Sequence, residues 1–318
     1  MKYLLSVFFG AASYGILSTI VVLAYGKGYS LGEVVGSQLL TGFVLAWLLA
    51  LILKSREKRR VRRQPDSAAS AAAAGLTWKQ RLLLMAAGTP TAVTGLLYYE
   101  SLRYIPASLA IILLFQFTWI GVLVQAVSQR QRPGRVMLIT IAVLFAGTLL
   151  AAGIAEQGMG RFHLIGVLLG LLSAVSYSLF IFFSGKAVPN AHPAYRSAWM
   201  ITGGMLVVFV LFPPAFLFNG FFGSELLLFG FLLGMFGAFI PPVLFAIGVP
   251  HIGEGMAGIL GASELPVAVL LSSLVLKEHV SALQWIGVAV VLLGIALPEL
   301  LNKRHEGRRS GGRAEARP

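Results

Sequence analysis

Ten apolar runs follow one another along the chain, separated by short polar or charged breaks: about 3–25, 31–53, 81–102, 105–127, 134–154, 163–186, 194–217, 225–249, 252–276 and 280–301. Roughly 20 apolar residues in helical form cross the hydrocarbon of a bilayer. The pattern therefore predicts an all-α membrane protein of ten transmembrane helices.

The ninth run, IGEGMAGILGASELPVAVLLSSLVL, departs from the uniform apolar type. At 3.6 residues per turn Ala257, Gly261, Glu264, Ala268 and Ser272 fall in one narrow sector, with Glu254 on its edge. A face this small and polar turns to protein or water. A carboxylate near mid-span is costly in hydrocarbon and usually lines a bundle interior or an aqueous pathway, which makes Glu264 the first candidate for substrate or proton binding. Its structural alternative is a hydrogen-bonded packing role. Pro266 cannot donate to the Ala262 carbonyl and frees an acceptor two residues from Glu264; Pro241 and Pro242 interrupt the eighth run and Pro90 the third. These prolines are read as hinges around a central cavity, or else as static kinks.

A faint repeat underlies the runs. Shifted by 147 positions, Ile105, Ala110, Ile112, Leu113 and Gly147 meet identical residues at Ile252, Ala257, Ile259, Leu260 and Gly294. Near the start, Ala11, Ser13 and Tyr14 meet Ala174, Ser176 and Tyr177 at a shift of 163, and the longer polar insert between Lys54 and Arg81 accounts for the change of register. The expected units are residues 1–154 and 155–301, followed by a disordered basic cytoplasmic tail, 302–318. Each unit holds five helices, an odd number, so the second copy enters the membrane upside down.

Charge placement orients the bundle. With the N-terminus inside, only Lys27, Arg103, Arg161 and Lys277 of the 25 Lys and Arg residues fall in outside segments. This asymmetry places both termini in the cytoplasm. The stretch REKRRVRRQPDSAASAAAAG (56–75) and the basic tail are expected to be disordered topology anchors that touch anionic lipid. Lys2 with the following apolar run and Ala11-Ala12-Ser13 also resembles a cleavable signal, a reading disfavoured because cleavage would strip one repeat of its first helix.

Overlaying the ninth run on the fourth puts Phe117 at the place of Glu264, Gln116 at Ser263 and Trp119 at Pro266. Tyr14 with Ser13, and Tyr177 with Ser176, occupy equivalent depths in the first and sixth runs. The candidate binding set is thus Glu264, Ser263, Gln116, Phe117, Trp119, Tyr14, Tyr177, Ser13 and Ser176, lining a chamber suited to a small amphipathic solute whose amine meets Glu264. For each aromatic the alternative is packing or lipid contact. Glu100 and Arg103 are spaced to pair near the outer end of the third run, as an interfacial ion pair or an outer gate. Glu254 and His251 lie at the inner end of the ninth, and Lys186 is expected to snorkel. Gly166 with Gly170, and Gly230 with Gly234, allow close helix approach within the monomer.

Composition narrows the function classes. Hydrophobic residues are 57% and charged residues 12% of the chain, outside the range of soluble domains. A net charge of +13 would suit nucleic acid, but its confinement to membrane-flanking loops removes that reading. Without cysteine there is no disulfide or thiolate metal site. There is no phosphate-binding GxxxxGK[ST] loop, HExxH, GxSxG or EF-hand pattern, so no cofactor, metal or catalytic residue is assigned. Two classes remain: a carrier of small metabolites, and an integral-membrane enzyme or lipid-handling protein, which would need more polar groups gathered at one interface.

The five-plus-five arrangement, the segment ELPVAVLLSSLVLKE and the following SALQWIGVAVVLLGIAL resemble the EamA family of the drug/metabolite transporter superfamily, over roughly Leu4–Leu301 and most clearly over Gly258–Leu297. The resemblance implies an inner-membrane secondary carrier, commonly an exporter of amino acids or related metabolites by alternating access, with a monomer sufficient for function. Glu278 matches the acid that often closes the ninth helix in this family. Gln131 stands at the corresponding place of the first half, and Gln38 where relatives often carry arginine.

Overall fold

The computed structural model describes residues 1–63, 76–128, 130, 135–151, 163–188, 191–220, 223–252 and 260–297, and every regular element among them is helical. The first span comprises α1 (Lys2–Gly15) and α2 (Leu17–Gly26); the second is α3 (Leu31–Arg63), the third α4 (Trp78–Ser101). The fourth comprises α5 (Ala107–Leu114) and α6 (Phe117–Ser128), and the fifth is α7 (Arg135–Ala151). The sixth is α8 (Leu164–Lys186) and the seventh α9 (Pro193–Leu211). The eighth runs through α10 (Glu225–Leu233), a π-helical turn (Gly234–Phe239) and α11 (Ile240–Ile252). The ninth is described as α12 (Glu264–Leu274) and the tenth as α13 (Ala282–Leu297). Six of these stretches are long and apolar enough to cross a membrane, and 107–121, 138–151, 264–274 and 282–297 are shorter apolar helices.

The expectation of a disordered basic loop after the second span is corrected in part. Helix α3 continues to Arg63, because Lys, Arg, Glu and Val all tolerate helix and the first breaker is Pro65. The rest of that loop, the tail 302–318, Gln131 and Glu254 lie outside the described residues. Helix α4 starts three residues earlier than its hydropathy indicates, at a capping box in which Thr77 and Gln80 exchange bonds of 2.9 and 3.3 Å.

Several spans that hydropathy reads as continuous are broken mid-way. In the fourth, Gln116 Nε2 donates to the Ile112 carbonyl (2.9 Å) and Thr118 Oγ1 to that of Phe115 (3.0 Å), while the backbone tightens to i−3 bonds at Gln116 and Thr118. Side chains here compete with the helix ladder for its carbonyls. The ninth breaks at Ala262 and Ser263, the positions that meet Phe115 and Gln116 under the 147-residue shift. The Ala262 carbonyl is not left free by Pro266, as the sequence suggested: the Leu265 N–H donates to it at 3.1 Å. In the eighth span, Pro241 and Pro242 cannot donate to Gly237 and Ala238, and the ladder just before them widens into the π turn. In the third, Pro90 cannot donate to the Ala86 carbonyl, which accepts instead from Thr89 Oγ1 at 2.9 Å.

Packing brings the two halves of the chain against each other. The first span packs on the eighth and ninth, the sixth on the third and fourth, the seventh on the third and second, the eighth on the second, and the fourth on the ninth. Fifth and tenth meet where Gly147 faces Val291 and Gly287 faces Ala151. The first and sixth spans run in opposite directions: Tyr25, near the end of the first, donates to the Tyr99 carbonyl near the end of the third (3.2 Å). His163, at the start of the sixth, lies against Tyr104, just past that same end (4.7 Å). Helix α5 is apolar, and all eight of its residues are buried at the centre of the bundle. Glycines permit the closest crossings. Gly166 fits against Tyr104 and Gly230 against Ser37, so both small-residue motifs pack within the chain. At the third-to-seventh crossing Gly88 abuts the Met200 backbone and Gly203 the Met85 backbone.

Adding side chains at that crossing sets backbone against side chain. Gly88→Val and Gly203→Val should each lower stability by more than about 3 kcal/mol or abolish recovery of folded protein. Gly261→Ala, whose added carbon has nothing within 4 Å, should change it by less than about 0.5 kcal/mol. Thermal unfolding in detergent, followed by size-exclusion chromatography, checks both.

Candidate functional site

The breaks converge on one cavity of about 230 Å³. Its walls come from eight spans: Tyr14 and Leu17 from the first, Gln38 from the second, and Thr91, Thr94, Gly95, Tyr98 and Tyr99 from the third. Leu114 and Phe117 come from the fourth, Tyr177 and Phe180 from the sixth, and Glu264 from the ninth, with Ser197, Met200, Ile201, Gly237 and Ala238 completing it from the seventh and eighth. It runs from Tyr98 and Tyr99, in the last turns of α4, to Ser197, in the second turn of α9. It therefore reaches toward the end of the bundle that carries Lys2.

Glu264 is the first residue of α12, placed there by the break at Ala262 and Ser263. Its side chain is half-buried and lines the cavity, and among the described residues it has neither an ion pair nor a hydrogen-bond partner. Its surroundings are aromatic. Tyr14, Tyr98, Tyr99 and Tyr177 are all close enough to feel its charge. Phe117 meets the Tyr177 ring edge-on at 4.7 Å, Tyr177 stacks toward Phe180 at 6.1 Å, and Tyr98 and Tyr99 tilt against each other at 5.8 Å. Gln38 lies beside the Tyr99 hydroxyl. No Lys, Arg or His is among the described residues of the lining.

Of the nine binding candidates from the sequence, the structure gathers Glu264, Tyr14, Tyr177 and Phe117 on the cavity wall. The other five are engaged in helix packing. Gln116 turns toward the fifth span, donating to Thr148 Oγ1 (2.7 Å) and accepting from Trp119 Nε1 (2.8 Å), so this pair holds the fourth and fifth spans together. Ser13 donates to the Phe236 carbonyl (3.1 Å), Ser176 to that of Pro90 (2.8 Å) and Ser263 to that of Phe8 (3.4 Å), each joining one half of the chain to the other. Pro266 sits two residues past Glu264 within α12, Pro241 and Pro242 follow the π turn, and Pro90 lies mid-way along α4.

Sequence reasoning missed Tyr98, Tyr99 and Phe180. A signal for the first was present: Thr91, Thr94, Gly95 and Tyr98 recur at helical spacing and form the polar and small stripe of an otherwise apolar span.

Polar contacts cluster at the end of the bundle away from Lys2. Glu278 accepts from the backbone N–H groups of Ala107 (2.7 Å) and Ser108 (3.1 Å) and from Ser108 Oγ (2.7 Å). It thereby caps the N-terminus of α5 from the other half of the chain. Lys27 pairs with Glu225 at 3.0 Å. Glu100 and Arg103 pair at 3.4 Å in the same region, and the Arg103 guanidinium lies 4.7 Å from the Tyr25 ring centroid. At the opposite end His251 stacks on Tyr3 at 3.7 Å, and the Lys186 ammonium sits 3.6 Å from the Phe182 ring centroid.

Comparison with known proteins places this architecture. Over 205 residues the chain is 26% identical to an uncharacterized transporter of Synechocystis sp.; the match takes in 63% of this chain and 61% of that protein, about three fifths of its length. A solved crystal structure superposes with a TM-score of 0.62 at 17% identity, covering 95% of this chain and 98% of that one, a likeness of fold. Residues 164–298 match the model of the EamA-like transporter family. The chain is a multi-pass membrane protein whose second half is similar to the EamA-like transporter family.

Proposed function

We propose that the chain is a secondary transporter of small metabolites such as amino acids, working by alternating access as an exporter or facilitator in the inner membrane, with both termini cytoplasmic. The observation that carries this reading is a lone carboxyl group in an aromatic cavity between the two halves of the bundle. A membrane enzyme would need several polar groups converging on one interface, and this cavity offers one acid.

The halves are residues 1–154 and 155–301, related by inversion, with 302–318 as a cytoplasmic tail. Two features support the inversion. The first and sixth spans run in opposite directions. The contacts also map onto themselves when each span is exchanged for the one five places on: first–eighth for sixth–third, second–eighth for seventh–third, and first–ninth for sixth–fourth, while second–seventh, fourth–ninth and fifth–tenth return to themselves. Such symmetry lets one packing arrangement serve two mirror-related access states. Glu264, Tyr14, Tyr177 and Phe117 hold the solute. The breaks near Pro266 and beside Pro241 and Pro242, with Pro90, are where spans bend. The Glu278 cap, Lys27–Glu225 and Glu100–Arg103 close one end, and Glu254 belongs to the gate at the other.

In proteoliposomes, counterflow of a panel of amino acids and related amines, with and without a pH gradient, tests the carrier reading; counterflow of none removes it. Glu264→Gln should abolish transport while leaving thermal stability and chromatographic behaviour unchanged, and undiminished transport would take Glu264 out of the mechanism. The chain contains no cysteine, so Gly95→Cys gives a single thiol in the cavity wall, in open space. Glu278→Ala in that background should raise its labelling by an impermeant maleimide from the side opposite the N-terminus several-fold. Equal labelling would mean that the cap does not hold that end closed.

A further inference from the structure

We propose that this cavity takes a monovalent organic cation, held between the Glu264 carboxylate and the tyrosine rings around it, an assignment that rests on reading the cavity as the transport site. Charge is the first argument. Glu264 is the single formally charged residue among the described lining residues, so a solute carrying one positive charge leaves the occupied cavity neutral. A dication would leave an uncompensated charge at bilayer depth, and a zwitterion would bring a second carboxylate to walls that offer no Lys, Arg or His, so among the small metabolites of the proposed function the cavity favours amines over zwitterionic amino acids.

The lining is the second argument. Tyr14, Tyr98, Tyr99 and Tyr177, drawn from three spans, surround the acid, and Phe117 and Phe180 extend the aromatic wall. The faces of such rings attract cations most strongly where water is excluded. An inorganic ion is a poor fit, since hard cations take six or more oxygen ligands and no group of three or more His, Cys, Asp or Glu that could hold a metal occurs among the described residues. One polar wall group is also unused. The Tyr98 hydroxyl, on a residue 6% exposed, lies near that of Ser18, yet neither completes a well-formed hydrogen bond.

The test is calorimetric binding to the purified full-length chain in detergent. Choline and benzyltrimethylammonium are compared with their uncharged counterparts 3,3-dimethylbutan-1-ol and benzyl alcohol, and with the zwitterion glycine betaine. The expected result is that at least one of the two cations binds at least about tenfold more tightly than its neutral counterpart and more tightly than betaine. Glu264→Gln should weaken the cation about tenfold or more. Tyr177→Leu should weaken it several-fold while Tyr177→Phe, which keeps the ring, restores it; Tyr14→Leu and Tyr14→Phe repeat the comparison should the Tyr177 pair fail to fold. Cations that bind no better than the neutral compounds, or that bind Glu264→Gln as well as the unaltered chain, overturn the proposal. Because calorimetry needs no turnover, a chain that binds these cations but shows no counterflow keeps this assignment and loses the carrier reading. A chain that exchanges neutral or acidic solutes without binding cations does the reverse.

Discussion

A carboxyl group without a cation, near the middle of an apolar bundle, is the constraint around which the rest of this structure is arranged. At that depth no bulk water is at hand to satisfy polar atoms, so irregular backbone is tolerated only where it lines a cavity or is served by side chains. The break that starts α12 at Glu264 meets this requirement with an i−3 bond to the Ala262 carbonyl, and the break in the fourth span meets it with Gln116 and Thr118. Other hydroxyls near the centre are likewise spent on carbonyls: Thr94 on Pro90, Ser176 on Pro90 and Ser13 on Phe236. Against that background of used polar groups, the solitary state of Glu264 supports the proposed ligand position more strongly than its charge alone does.

How much of this was legible follows from what periodicity can carry. The ten runs, the small-residue face of the ninth helix and Glu264 on that face could be read directly, because hydropathy and a 3.6-residue repeat both survive as long as a helix is continuous. The breaks at 115–116 and 262–263 could not, since no proline or glycine stands at either place, and in the fourth span the cause is competition by Gln116 and Thr118 for backbone carbonyls. A break also resets the helical phase. This is why Gln116 and Trp119, which an unbroken overlay puts beside the acid, turn instead toward Thr148 in the fifth span. Tyr98 and Tyr99 escaped notice for a different reason: they sit near the end of their span, where tyrosine ordinarily belongs to the membrane interface, and only the stripe through Thr91, Thr94 and Gly95 ties them to the interior.

The two halves keep their contacts better than they keep their residues. Gly15 of the first span lies against the Ala268 backbone of the ninth, while Ser178 of the sixth lies against Gly121 of the fourth. Under the shifts of 163 and 147 these are the same contact, with the small residue moved to the other partner. A close crossing needs little bulk on at least one side and is indifferent to which side supplies it. Identity would therefore fade in such pairs while the geometry persists, and the proposed repeat, faint in sequence, rests on which span touches which.

The exception to that conservation is the acid. Phe117 and Glu264 occupy corresponding places next to corresponding breaks, yet one is aromatic and the other ionisable, so the proposed symmetry governs the frame and not the chemistry at its centre. This division suits a carrier. Exchanging the roles of the two halves would open and close opposite ends of the bundle, which calls for equivalent crossings and for caps such as the one Glu278 makes on α5. In the proposed function the solute is met in the middle, where both access states would share the same groups. A second acid at position 117 would place two like charges in one small cavity, and a solute with one positive charge could then compensate only half of them.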